Sequence, residues 1–236
     1  MIMRLGGDVG TIPNSGSMHP YCMKNIQSLL LAGLAFGLAS STQAASFLFT
    51  ESGDGDLSNT PASPTILGDH PSTVGFSIGS NFVRGSTVTG DPDIFSFTVG
   101  VGYQLSAIQL TSYNSTDDRG FIAVQRGSVW NNGVGAGANF NRSTLLGYAH
   151  FGTGTQAATA QPGTDVLDNL GVAAGAIGFT GALGPGTYTF LVQQTAAPVV
   201  NYEFDLQLTP VPEPGEYAVV AGALLGGFAV WRRRRA

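Results

Sequence analysis

The sequence runs Tyr202-Glu203-Phe204-Asp205-Leu206-Gln207-Leu208 near its C-terminal end, with every second side chain apolar and the others acidic or amide. A period of two is typical of a β-strand that buries one face and leaves the other in water. Ile94-Phe95-Ser96-Phe97-Thr98-Val99 repeats the pattern, with Phe95, Phe97 and Val99 on one face. The two segments predict a sheet with one buried side and one solvated side.

Similar short segments occur throughout the middle of the chain, and clusters such as Gly184-Pro185-Gly186 separate them. The further predicted strands are Val74 to Ile78, Asn81 to Val88, Leu105 to Tyr113, Phe121 to Gln125, Leu145 to Phe151, and a segment with Tyr188, Phe190 and Val192 inward, in which Leu191 blurs the outer face. No segment of helix length has its charges on one face. The pattern predicts an all-β domain over residues 45–210, an antiparallel β-sandwich or jelly roll.

Two stretches rich in small and polar residues interrupt the predicted strands. Asn131 to Asn141 is predicted to be a long surface loop. Thr153 to Ala176 is predicted to be irregular, with one short turn of helix at Val166 to Leu170.

The charge of residues 45–210 limits the partners of this domain. The segment has no lysine, and its four arginines face twelve aspartate and glutamate residues, so the formal charge is about −8. Such a domain lacks the basic footprint that nucleic-acid binding requires. The excess of acids is compatible with an exported protein and with cation binding.

Acidic side chains at alternate positions indicate a calcium site. Glu51, Asp54 and Asp56 lie among glycines in Glu51-Ser52-Gly53-Asp54-Gly55-Asp56, and Asp91 with Asp93 forms a second pair. Carboxylate oxygens are ligands that calcium prefers, although the later glycine and glutamate of a helix-flanked calcium loop are missing. A third pair is Asp117 with Asp118. The alternative is that these residues are solvated turn residues, since Asp and Gly are common in turns.

Three other candidate sites have simpler structural explanations. Gly75-Phe76-Ser77-Ile78-Gly79 matches a hydrolase motif, but that motif requires a strand-to-helix turn, and the segment is predicted to be a strand with Phe76 and Ile78 inward. The two histidines of the domain, His70 and His150, lack metal-ligand spacing. The candidates for an aromatic patch that stacks on glycans are Trp130, Tyr113, Tyr148 and Phe151. The alternative is that these side chains pack in the core.

The chain ends with three consecutive elements over residues 211–236. Val211-Pro212-Glu213-Pro214 precedes an apolar run from Tyr217 to Trp231, and Arg232-Arg233-Arg234-Arg235 follows the run. A 15-residue helix rises about 22 Å and spans a bilayer core of about 30 Å only marginally. The arginines are expected to stay cytoplasmic, which predicts an exported domain and a transmembrane-type helix.

The N-terminal region supports the same topology. Lys24 precedes the apolar stretch Leu29 to Ala39, and small residues follow, so residues 23–44 are predicted to be a signal peptide cleaved between Ala44 and Ala45. Residues 1–22 are interpreted as a misassigned start or a disordered extension. The single cysteine, Cys22, would then be lost, and the mature protein would have no thiol.

The C-terminal arrangement resembles the PEP-CTERM sorting signal of Gram-negative bacteria. The resemblance covers the last tenth of the chain and implies export through the Sec translocon, followed by handling by an exosortase-type transpeptidase. It implies that Pro212, Glu213 and Pro214 are the recognition element, with cleavage nearby. It also implies transfer to the cell surface or to an extracellular polysaccharide matrix.

The domain itself is similar to bacterial pre-peptidase C-terminal (PPC-like) domains. The similarity rests on Asp91-Pro92-Asp93-Ile94-Phe95-Ser96-Phe97, on Gly186-Thr187-Tyr188, and on the final strand that Tyr202 leads, and it covers roughly residues 51–208. It implies a β-sandwich module. Such modules usually accompany a secreted enzyme, and this chain has no room for a catalytic partner, so no enzyme activity is expected.

The sequence therefore predicts an exported, non-enzymatic surface or matrix protein without catalytic residues. One alternative is a calcium-dependent module that binds a glycan or matrix polymer, and calcium is the only cofactor suggested. Another is an envelope protein whose uncleaved tail remains a single-span membrane anchor.

Overall fold

The structure is a computed structural model that describes residues 47–68, 76, 78–135, 140–156, 159–211 and 214–235. The strands are β1 Phe47–Thr50, β2 Thr65–Ile66, β3 Gly79–Thr87, β4 Asp93–Val99, β5 Tyr103–Asn114, β6 Gly120–Arg126, β7 Gly147–Phe151, β8 Thr159–Ala160, β9 Gly186–Gln193 and β10 Val200–Pro210. The helices are α1 Glu51–Asp54, α2 Val166–Gly171 and α3 Pro214–Arg233, and Arg142–Thr144 forms a 3₁₀ turn.

The strands form two sheets, an arrangement consistent with a β-sandwich. Sheet A has the order β1-β3-β10-β5, and sheet B has the order β2-β4-β9-β6-β7-β8. The long strands pair antiparallel, as predicted. The short edge strands β1, β2 and β8 were not predicted as strands, and they pair parallel. Alternation identifies the buried face of a strand but carries no information about the direction of its neighbour.

The main hydrophobic core lies between the sheets and contains the predicted inward faces. Phe95, Phe97 and Val99 of β4 are buried, as are the alternating apolar residues of β10. Phe151 of sheet B packs edge-on against Phe204 of sheet A, with 5.0 Å between the ring centroids. Each such phenyl ring contributes about 2–3 kcal/mol through removal from water. The alternation in the sequence therefore specifies the faces that hold the sheets together.

A second, smaller core covers the outer face of sheet B. Its buried members are Ile94, Ala123, Trp130, Leu145 and Leu191, and Phe140 packs against them. Gln125 of β6 holds the loop that follows this strand against the sheet by donating to the Val129 carbonyl and accepting from the Asn131 N–H. Leu191, which interrupts the alternation of β9, is therefore buried on a face that its own chain covers.

Of the remaining predicted elements, one is confirmed and one is not. The short helix predicted at Val166 to Leu170 is α2, and its first turn is capped by Asp165, which accepts the Leu167 N–H at 2.9 Å. The strand predicted at Val74 to Ile78 lies largely outside the described residues. Phe76 packs on Phe97 with 4.6 Å between the ring centroids, but Ile78 is 51% exposed at a bend before β3, so its predicted inward orientation was wrong.

The C-terminal helix α3 contains the predicted apolar run. Leu224, Leu225 and Phe228 are exposed on it, and the Arg235 guanidinium lies 4.3 Å from the centroid of the Trp231 ring. Within the part of the chain that the structure describes, no helix combines the length and apolar character needed to cross a membrane. Pro212, Glu213, the signal peptide and the Ala44–Ala45 junction lie outside the described residues.

Candidate metal centre

Three of the predicted calcium ligands meet in one group at the side of the sandwich. One carboxylate oxygen from each of Glu51, Asp56 and Asp93 lies within 4.8 Å of the other two. Glu51 begins α1 directly after β1, Asp56 follows α1, and Asp93 begins β4. Residues 51–56 and 91–93 are separate acidic clusters in the sequence, but the fold brings parts of both together. This is the only group of three or more potential ligand residues among the described residues.

The turn that follows β1 explains which acids of the first cluster take part. Oδ2 of Asp54 accepts the Thr50 N–H at 2.8 Å, so this carboxylate closes the α1 turn instead of joining the group. Gly55 has φ +96°, a conformation that favours glycine, and its N–H donates to the Glu51 carbonyl at 3.1 Å. The reversal at Gly55 brings Asp56 back beside Glu51. Asp54, which was also predicted to be a ligand, is not a member of the group of three.

Glu51 is held by hydrogen bonds from strand β3. Its Oε2 accepts the Ser86 N–H at 2.7 Å and the Ser86 hydroxyl at 3.0 Å. Burial raises the pKa of Glu51, while these hydrogen bonds to Ser86 oppose the rise. The carboxylate is consequently fixed in orientation before any ligand binds.

Asp93 is the most unusual member of the group because it is fully buried. Its Oδ2 accepts the Tyr202 hydroxyl at 2.7 Å, but its Oδ1 has no hydrogen-bond partner among the described residues. Burial, and next the charge of Glu51, raise the pKa of Asp93 to about 9. Buried polar atoms are nearly always satisfied, so an orphaned carboxylate oxygen beside two further carboxylates indicates a missing ligand.

The contact between Asp93 and Tyr202 depends on a glycine in β3. A Cβ atom at Gly85 would lie 2.5 Å from the Tyr202 hydroxyl oxygen and 3.0 Å from Oδ2 of Asp93. Any larger residue at this position would therefore displace one of the two groups. Burial, and next the charge of Asp93, raise the pKa of Tyr202, which keeps its hydroxyl protonated as a donor.

A polar cavity of about 640 Å³ adjoins the group. The residues that line it include Glu51 and Asp56, and the strand residues Arg84, Ser112 and Asn201. Glu203, which also lines the cavity, forms an ion pair with Arg84. The cavity thus connects the acidic group to the outer face of sheet A.

A β-bulge in β5 fixes the ion pair at the wall of this cavity. Glu203 pairs with Ser112 and Phe204 pairs with Leu110, so Thr111 is the additional residue. The Thr111 hydroxyl donates to Oε1 of Glu203 at 2.6 Å. Burial alone would raise the pKa of Glu203, but the hydrogen bonds from Thr111 and Arg84 lower it. Arg84 is therefore neutralised by a firmly ionised partner.

The donor set of the group is suited to calcium. Calcium takes six to eight oxygen ligands at about 2.3–2.6 Å, so ligands across one ion are up to about 5 Å apart. The spread of the three carboxylates, within 4.8 Å, fits that sphere. Zinc and copper sites draw on imidazole or thiolate ligands, and this group has neither.

Asp91 was also predicted to be a ligand and is not a member of the group. Its backbone closes the turn between β3 and β4: the Asp91 N–H donates to the Val88 carbonyl at 3.0 Å, and its carbonyl accepts the Thr87 hydroxyl at 2.7 Å. In the sequence, the alternate spacing of Asp91 and Asp93 predicts that both aspartates contribute to one site. The turn geometry separates Asp93 from Asp91.

Asp117 and Asp118 behave as turn residues. Oδ1 of Asp117 accepts the Arg119 N–H at 3.3 Å, and Asp118 forms an ion pair with Arg119 at 3.3 Å. The Tyr113 hydroxyl donates to the Asp117 carbonyl at 2.9 Å, and burial raises the pKa of Tyr113 to about 12. The local hydrogen bonds account for this acidic pair.

The predicted aromatic patch is not assembled. Trp130 and Phe151 are buried in different cores, and the Tyr148 hydroxyl donates to the Ala174 carbonyl at 2.7 Å. The core-packing alternative therefore applies to Trp130 and Phe151. His150 is exposed on β7, with its Nδ1 3.3 Å from the Gly120 carbonyl, while Ser77 and His70 lie outside the described residues.

Sequence reasoning did not identify three residues that shape the site. Tyr202, Ser86 and Gly85 orient the carboxylates, but in the sequence they stand as an inward strand residue and two ordinary strand positions. The one available signal was the start of β4, where Asp93 directly precedes the apolar residues Ile94 and Phe95 and is therefore carried into the core.

No protein-family model, no curated protein and no solved structure matches this chain.

Proposed function

We propose that the β-sandwich module is a calcium-binding domain, with Glu51, Asp56 and Asp93 as the protein ligands. The observation that carries this proposal is the buried Oδ1 of Asp93, which has no hydrogen-bond partner among the described residues and belongs to a group of three carboxylates. A divalent cation would satisfy this oxygen and remove the repulsion among the three acids.

The position of the site suggests that calcium is structural for the sandwich. Glu51 follows β1 at the edge of sheet A, whereas Asp93 begins β4 of sheet B. An ion shared by the two would tie the N-terminal edge of one sheet to the other. A ligand at about 100 times its dissociation constant stabilises the folded state by about 2.7 kcal/mol.

The same proposal places the module outside the cytoplasm. Calcium sites of extracellular modules have dissociation constants of about 10⁻⁴ to 10⁻³ M, which a partly exposed group of three carboxylates can meet. Export and PEP-CTERM sorting are supported by the order of Val211 to Pro214, an apolar helix and Arg232 to Arg235. We therefore propose an exported, non-enzymatic surface or matrix protein, with the PPC-like sandwich as its folded part.

Calcium binding is tested by thermal unfolding of the full-length chain in excess calcium and in chelator. We expect a higher melting temperature in calcium, and we expect Asp93→Asn to lose this increase. Asp168→Asn, which removes an exposed carboxylate on α2, is the matched control and is expected to retain it. Equal melting temperatures of the wild-type chain in the two buffers would refute the proposal.

Sorting is tested separately by mass spectrometry of the protein recovered from its native host. An N-terminus at Ala45 and a C-terminus near Pro214 are expected. If the recovered protein retains Arg232 to Arg235, the sorting proposal is contradicted and the alternative of an uncleaved membrane anchor is supported.

A further inference from the structure

The cavity beside the three carboxylates gives a bound cation access to an external ligand. Glu51 and Asp56 line this cavity of about 640 Å³, whereas Asp93 is buried. Cavities of about 300–1,000 Å³ are typical of small-molecule sites. An ion held by the three residues would therefore lie at the boundary between the buried carboxylate and open space.

The hydrogen bonds of the group limit how many coordination positions the protein can fill. Oε2 of Glu51 already accepts two bonds from Ser86, and Oδ2 of Asp93 accepts one from Tyr202. Binding through both oxygens is consequently disfavoured for Glu51 and Asp93. Even if Asp56 bound through both of its oxygens, four protein contacts would leave at least two positions of a calcium ion for water or for ligand oxygens.

The charges around the cavity determine which kind of ligand fits. The acids are Glu51, Asp56, Asp93 and Glu203, and the single arginine, Arg84, is paired with Glu203. The charge of a divalent ion is smaller than the summed negative charge of the three remaining carboxylates, so an anionic ligand would be repelled. The other polar groups on the wall are neutral donors and acceptors, among them Ser112 and Asn201, both of which are exposed.

From this arrangement we infer that the bound calcium coordinates a vicinal diol of a neutral polysaccharide, which Ser112 and Asn201 hold through hydrogen bonds. This inference rests on the proposed calcium site. Two adjacent hydroxyl oxygens can replace two waters on the ion without adding charge, and the remaining hydroxyls of the sugar match the neutral groups of the cavity wall.

The test measures, by interferometry, binding of the full-length chain to two soluble neutral polysaccharides, mannan and dextran, after each has been immobilised. The buffer contains a zwitterionic detergent without a sugar head group. Binding to at least one polysaccharide is expected in millimolar calcium and is expected to disappear in chelator. Asp56→Asn, a change at an exposed residue that leaves the buried core intact, is expected to abolish it.

Asn201→Ala tests the cavity wall and not the ion. It should raise the polysaccharide dissociation constant about fivefold, because it removes about one hydrogen bond. The constant is corrected for any change in the calcium concentration that gives half-maximal binding. Ser128→Ala, at an exposed serine that does not line the cavity, is the control and should leave the constant unchanged.

The outcomes separate the inference from the proposed function. Calcium-dependent stabilisation without binding to either neutral polysaccharide would overturn the inference and leave the calcium site standing. Binding to heparin alone, or binding that chelator does not affect, would also overturn it. Loss of calcium stabilisation in the wild-type chain would remove both.

Discussion

The Tyr202 hydroxyl donates a hydrogen bond of 2.7 Å to Oδ2 of Asp93 and thereby joins β10 of sheet A to β4 of sheet B. Both residues are buried, and the bond lies beside the group that we propose to bind calcium. Removing a hydrogen bond to a buried carboxyl group costs more free energy than removing one at the surface. This contact should therefore contribute to stability as well as to the orientation of Asp93.

Tyr202→Phe tests that contribution. The variant leaves both oxygens of Asp93 without a protein donor, and we expect the free energy of unfolding to fall by about 2–3 kcal/mol. Tyr113→Phe is the matched control, because its hydroxyl donates to a backbone carbonyl in a partly exposed turn, and it should cost about 1 kcal/mol. Urea denaturation in chelator measures both values. Equal losses in the two variants would contradict a special role for the Asp93 contact.

Gly85→Ala tests the space that the same contact needs. The added methyl group would approach the Tyr202 hydroxyl to 2.5 Å, so we expect destabilisation of about 1–3 kcal/mol and weaker calcium binding. Gly184→Ala is the control, since a Cβ atom there meets nothing within 4 Å. Thermal unfolding with and without calcium measures both effects. Two variants of equal stability would show that Tyr202 and Asp93 tolerate displacement.

The raised pKa of Asp93 predicts an unusual dependence of stability on pH. Its folded pKa of about 9 exceeds the ordinary aspartate pKa of 3.8, so the folded state binds more protons and stability falls as the pH rises from about 4 to about 9. The acids whose charges raise the pKa of Asp93 are Glu51, Asp91 and Asp56, and Glu51, whose pKa is also raised, contributes in the same direction.

The experiment compares melting temperatures at pH 5, 7 and 9 in chelator. The wild-type chain should melt at progressively lower temperature as the pH rises. Asp93→Asn should reduce this slope and should be more stable than the wild type at pH 9, because it buries no charge. A wild-type slope identical to that of the variant would rule out Asp93 as its source.

The sequence is sufficient to predict the long strands and their buried faces, because alternation reports burial directly. Phe95, Phe97 and Phe204 are inward for this reason. It cannot predict the parallel pairing of β1 with β3, which depends on contacts between residues distant in the chain. The same limit applies to Leu191, whose exposure is decided by a loop that folds over β9.

The candidate site was predictable only as a list of acids. Side-chain type identified Glu51, Asp56 and Asp93, but it equally identified Asp54 and Asp91. Both lie outside the group of three and take part in turns, Asp54 through its carboxylate in α1 and Asp91 through its backbone in the β3–β4 connection. Local spacing cannot distinguish a carboxylate that closes a turn from one that is left to bind an ion.

Leu191→Ala tests the second core. Because Leu191 is fully buried in this cluster, we expect the free energy of unfolding to fall by about 2–5 kcal/mol. Val101→Ala shortens a side chain that is 91% exposed, and it should change stability by less than about 0.5 kcal/mol. Urea denaturation distinguishes them. A loss below that of the control would mean that the loop does not cover this face in solution.

The choice among the predicted acids of residues 51–56 and 91–93 is itself testable, because the structure assigns them different roles. Asp56→Asn removes a charge from the group of three, and calcium binding, measured by calorimetry on the full-length chain, should weaken about tenfold or more. Asp91→Asn makes the same chemical change two residues from Asp93, yet its backbone bonds to Val88 and Thr87 remain. It should alter the affinity by about twofold at most, through long-range charge alone. If Asp91→Asn weakened calcium binding as much as Asp56→Asn, the ion would be bound by the net charge of the region and not by the three assembled carboxylates.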